Sequence, residues 1–101
     1  MLRSLLLIPA LCCAAVAAQA TPPAVPAAQS LAATCFNCHG PHGVSTAAIP
    51  SLAGRPAASL IALMNEYKSG QRQGTIMPQI AKGYTEAQIQ LIAEYFAQQH
   101  P

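Results

Sequence analysis

The run Cys35-Phe36-Asn37-Cys38-His39-Gly40 decides how the rest of this chain is read. Two cysteines with two residues between them fall one helical turn apart and share a face. A histidine directly after the second adds an imidazole at the same corner. C-x-x-C-H in this order is the pattern of covalent c-type haem attachment, in which both thiols add to the vinyl groups of one haem. The imidazole then meets the iron through its neutral nitrogen, and the other ring nitrogen needs an acceptor that fixes the ring. Three readings compete with this one. A thioredoxin-type dithiol asks for a βαβ context, and the chain shows no strand pattern of useful length. A structural zinc asks for four ligands, and beyond residue 20 only Cys35, Cys38, His39, His42 and His100 are on offer. A Cys35–Cys38 disulfide would close a very short loop and staple almost nothing.

Working outward from the motif, a first helix is expected from about Ala27 through Thr34 into the cysteine pair. Residues 40–56 carry Gly40, Pro41, Gly43, Pro50, Gly54 and Pro56, enough breakers to exclude regular structure over most of that stretch. Leu60, Leu63, Met64 and Tyr67 recur at helical spacing and predict a second helix over 57–69, stopped by Gly70. Residues 71–83, with Gly74, Met77, Pro78 and Gly83, read as a second loop. Thr85-Glu86-Ala87-Gln88 fits a capping box. Behind it, Ile89, Ile92, Ala93 and Phe96 make one apolar stripe running to about Gln98. The fold class is therefore all-α, with three main helices and two long loops.

Connections of about a dozen irregular residues are long for a compact domain and need something to wrap around. Aromatic residues make up 5% of the 101-residue chain and Trp is absent, so the protein itself offers few large core fillers. A chain this short sits near the lower limit for stabilisation by apolar burial alone. One large apolar cofactor, covalently held, supplies both the missing volume and the anchor.

The second axial position separates a carrier of electrons from a catalyst, because an open iron permits ligand chemistry and a filled one does not. Met64 sits on the stripe of the second helix and reads as core packing. Met77, followed by Pro78 in a loop away from any stripe, is the better thioether ligand. His42 and His100 are the alternatives, the first close in sequence to His39 and the second at a terminus.

Residues 1–20 hold 16 apolar residues, the cation Arg3 and no acid. The apolar run 5–18 is too short to span a bilayer, contains Pro9, and ends in the small-x-small sequence Ala18-Gln19-Ala20. These residues read as a secretory signal peptide, with no membrane anchor left after cleavage. Cys12 and Cys13 leave with it and do not fit a lipoprotein cleavage site. Residues 21–26 are a Pro-rich extended leader, and 27–101 form a single domain with one haem. Export places that domain in the periplasm. The net charge of +2, with charged residues at 8%, argues against nucleic acid as a partner.

With Cys35-x-x-Cys38-His39-Gly40, Ile49-Pro50-Ser51-Leu52-Ala53-Gly54, Met77-Pro78 and the Tyr95-Phe96 helix in order, the chain resembles the class I c-type cytochromes. The resemblance implies a small cytochrome c fold, in which the first and last helices cross beside the haem, and an electron-transfer role with no catalysis of its own. It also implies that the carbonyl of Pro50 accepts the hydrogen bond from His39, and that Arg55 is a candidate partner for a haem propionate. Within the class, residues 67–70, 75–77 and 80–85 look most like the cytochrome subunits of flavocytochrome c sulfide dehydrogenases. There, a flavoprotein oxidises sulfide and passes electrons to the haem. Many of those subunits carry two haem domains, whereas this chain has one motif. The alternative is a soluble carrier diffusing between a dehydrogenase and a terminal oxidase.

Overall fold

The computed structural model describes residues 26–101, together with Ala15, Ala17 and Ala18. Nearly all of the expected signal peptide and of the Pro-rich leader lies outside the described residues. Five helices follow in order: α1 (Ala27–Ala33), α2 (Phe36–His39), α3 (Ala57–Ser69), α4 (Met77–Lys82) and α5 (Glu86–Ala97), with a 3-10 turn at Pro41–Gly43. Among the described residues there is no strand, and no helix is long and apolar enough to cross a membrane.

The helix ends follow from particular residues. Thr34 Oγ1 donates to the carbonyl of Leu31 at 3.0 Å and closes α1, so the first helix does not run unbroken into the cysteines. A separate single turn, α2, carries Cys38 and His39. Gly70 ends α3 in the left-handed region, at φ 81° and ψ 3°. At the start of α5, Thr85 accepts from the Gln88 backbone at 3.2 Å while the Gln88 side chain accepts from the Thr85 backbone at 2.9 Å.

A second element differs from the sequence reading. Met77–Lys82 is a short helix, where 71–83 reads as loop. Pro78 belongs to its first turn, where no intrahelical N–H is needed, so a proline that looks like a breaker starts the helix instead.

The layers are α1 on α5, α5 on α3, and α3 on α4. Their meeting point is a core of Ala32, Leu60, Ile92, Ala93 and Phe96. Ala32 and Ala93 are small enough to let α1 and α5 approach closely, and Phe96 fills the space beside them at 1% exposure. Among the described residues Phe96 and Ile89 are the largest side chains to be fully buried, and half of the buried apolar residues are alanines. Such a core is thin. Leu63, Met64 and Ile80 add to it little, because all three line an open cleft.

Candidate haem site

That cleft has a volume of about 520 Å³, within the range of roughly 300–1,000 Å³ usual for cofactor sites. It is bounded by α2 and the end of α1 through Thr34, Cys35, Cys38 and His39, and by the following loop through Ile49, Pro50, Leu52 and Arg55. The stripe of α3 supplies Leu60, Leu63, Met64 and Tyr67, and residues 74–77 with Ile80 complete the mouth. Tyr84 and the inner face of α5, Ile89, Ala93 and Phe96, form the remaining wall.

The α2 turn is fixed by its backbone, with His39 N donating to the Cys35 carbonyl at 2.9 Å and Gly40 N to the Phe36 carbonyl at 3.0 Å. The chain then leaves sharply through Gly40, at φ 85°, where a Cβ would fall 1.9 Å from the Val44 carbonyl oxygen. Only glycine fits there. Both thiols are free, Cys35 half-buried and Cys38 exposed. Burial pushes the Cys35 thiol up; a hydrogen bond with Thr34 opposes this, and the neighbouring Cys38 adds to it.

His39 Nδ1 donates to the carbonyl of Pro50 at 2.7 Å. That bond commits the proton to Nδ1 and leaves Nε2 with a free lone pair, the form in which imidazole ligates a metal. Met77 opens α4 on the cleft, and Met64 lines it too. The α3 stripe thus faces the cleft as much as the core, because periodicity reports which face is covered and not what covers it. His42 and His100 do not line the cleft. Arg55 does, as the only charged side chain among the described residues to line it, with no carboxylate among them beside it.

Two neighbours carry contacts that the sequence reading did not show. Tyr84 donates its hydroxyl to Thr34 Oγ1 at 2.9 Å, because the Thr34 proton is already given to Leu31. Its carbonyl accepts from the Lys68 ammonium, so one residue ties α3 to the end of α1 beside Cys35. Tyr67, read only as part of a stripe, carries the Arg72 guanidinium over its ring at 5.9 Å, with Arg72 paired to Glu66 at 2.7 Å. Side-chain reach across 50 residues leaves no periodic signal.

The donor set fits a covalently held haem: two thiols one turn apart, an imidazole with its Nε2 free, thioethers, and otherwise apolar walls. It does not fit zinc, since among the described residues no three His, Cys, Asp or Glu side chains are grouped to hold a metal ion.

Comparison with known proteins agrees with this chemistry. Residues 23–96 match the family described as cytochrome c oxidase, cbb3-type, subunit III. The chain is 42% identical to a cytochrome subunit of sulfide dehydrogenase from Chlorobaculum tepidum, over 65% of this chain and 60% of that one. It is 39% identical to a thiosulfate dehydrogenase electron acceptor from Stutzerimonas stutzeri, over 62% of this chain and 31% of the other. The chain therefore spans 60% of the first of these relatives and 31% of the second. Among solved structures, an Acidithiobacillus ferrooxidans cytochrome c4 superposes with a TM-score of 0.64 at 30% identity, covering 71% of this chain and 49% of its own. Fold, cleft chemistry and these likenesses agree that the chain belongs to the class I c-type cytochromes, in the family described as cytochrome c oxidase, cbb3-type, subunit III.

Proposed function

We propose that residues 27–101 form a periplasmic monohaem carrier that receives single electrons from a sulfide-oxidising flavoprotein, residues 1–20 being its export signal. Cys35 and Cys38 would hold the haem through thioethers, and His39 and Met77 would ligate its iron. Bound there, the haem supplies an iron centre that takes up and releases one electron at a time. Pro50 keeps the His39 ring in one tautomer and orientation. The Met77 thioether and the apolar walls favour the less charged, reduced centre.

The observation that carries the partner reading is the mouth of the cleft. Ile49, Ile76 and Ile80 gather apolar surface at its rim, Ile76 the most exposed of the three. Exposed apolar surface gathered around a redox site suits a lasting interface better than a fleeting encounter. The likeness to a cytochrome subunit of sulfide dehydrogenase supports the same partner class.

A second reading is a freely diffusing carrier working between a dehydrogenase and a terminal oxidase. The likeness to a protein named for accepting electrons from thiosulfate dehydrogenase favours it. The two are separated by a visible spectrum, oxidised and then reduced, of protein gently isolated from its own compartment. Haem bands with a flavin component that persists through gel filtration are the expected result. Haem bands alone mean the free carrier, and a spectrum with no haem bands ends both readings.

A further inference from the structure

His42 is the only non-glycine residue among those described with a positive φ, 53°. A side chain in that region is sterically disfavoured and persists where its surroundings hold it. Two contacts hold it here. Nδ1 of His42 shares a 2.5 Å hydrogen bond with the hydroxyl of Tyr95 on α5. The His42 ring also packs 5.0 Å from the Phe36 ring on α2. Neither His42 nor Tyr95 lines the cleft.

The turn that His42 shapes leads back to the site. The next residue, Gly43, is buried at φ 80° against Phe96, where a Cβ would fall 2.6 Å from the ring. Its carbonyl accepts from both Leu52 N at 2.8 Å and Ala53 N at 3.1 Å. Ser51, just before them, is fastened as well, its Oγ accepting from Ser45 N at 2.8 Å. The residue before that is Pro50, whose carbonyl accepts from His39. Contacts are thus continuous from the Tyr95 hydroxyl through His42, Gly43 and Leu52 to the His39 imidazole.

We propose that His42, held by Tyr95, is a positioning residue for His39, setting the strained turn whose Gly43 carbonyl places the Pro50 carbonyl against the His39 ring. This rests on His39 being the proximal ligand. A firm Nδ1 hydrogen bond makes the imidazole a stronger donor and favours the oxidised centre; slackening it favours the reduced one.

Two variants test the role in the haem-loaded protein. Tyr95→Phe removes the hydroxyl and keeps the ring packing, and His42→Gly relieves the backbone and removes the ring. The readings are the midpoint potential and the solvent exchange of the His39 Nδ1 proton by NMR. Both variants are expected to raise the midpoint potential, lowering the oxidised-to-reduced ratio at a fixed ambient potential about threefold, ~30 mV at ~59 mV per tenfold for one electron. The Nδ1 proton is expected to exchange several-fold faster. If one variant fails to assemble, the other carries the test. Lower thermal stability with potential and exchange both unchanged would overturn the proposal, leaving the pair as packing between α5 and the turn. Failure of the underlying reading shows separately: His39 ring resonances without a hyperfine shift in the oxidised wild type would remove His39 as ligand whatever the variants do.

Discussion

Two cysteines of one motif occupy unlike surroundings, half-buried at Cys35 and exposed at Cys38. The thiolate is the nucleophile, and burial raises the Cys35 thiol. In chain lacking haem, alkylation at neutral pH should therefore modify Cys38 first, which mass mapping of the labelled peptide would check. The sign for stability follows. Folding favours protonated Cys35, so its contribution is full below the unfolded thiol value of about 8.5 and is lost as pH rises through the raised folded value. Denaturant unfolding of the same chain should show a stability loss on the alkaline side that Cys35→Ala removes. Met64 and Met77 give a second contrast at this scale, since both line the cleft. Met77→Ala should lower the midpoint potential by on the order of 0.1 V, a fraction of the ~0.8 V that axial ligands span, and open the iron to added ligands. Met64→Ala should leave the ligand spectrum intact; the reverse result would exchange their roles.

Among the elements, α5 was the most legible, because its start is written in four consecutive residues and its stripe is unbroken. Thr85→Ala removes the side-chain half of the capping box, which costs about 1 kcal/mol. In a domain of this size the melting temperature should fall by roughly 4–8 °C, measurable by circular dichroism, while the haem spectrum stays unchanged. Next came α3, expected over 57–69 and found there between Pro56 and Gly70. The sequence is less informative at α4, since a proline in a first helical turn and a proline in a loop look alike without the fold. The break between α1 and α2 was hidden for a related reason: Thr34 turns its hydroxyl back on its own helix, and nothing in composition announces that. Within the site, the motif carried Cys35, Cys38 and His39 into view unaided. Tyr84 and the His42–Tyr95 pair stayed out of view, because they depend on contacts between residues 50 and 53 positions apart.

For the whole molecule, charge is too weak to choose a partner. The full chain carries only +2, and the cleft presents a single cation at Arg55. Recognition then falls to the apolar mouth. Ile76→Glu should weaken association with the proposed flavoprotein at least about tenfold, ~1.4 kcal/mol, with little dependence on salt in the wild type; titration calorimetry at two ionic strengths would check both statements. The layout of the chain also bears on time. Cys35, Cys38 and His39 occupy five consecutive positions, whereas α3, Met77 and α5 all come later. Capturing the cofactor therefore calls for one helical turn and no tertiary structure. Under the export proposed for residues 1–20, that turn would emerge while the rest is still being threaded. The long-range closure of α1 onto α5, the slow kind of contact to form, would then take place around a cofactor already secured.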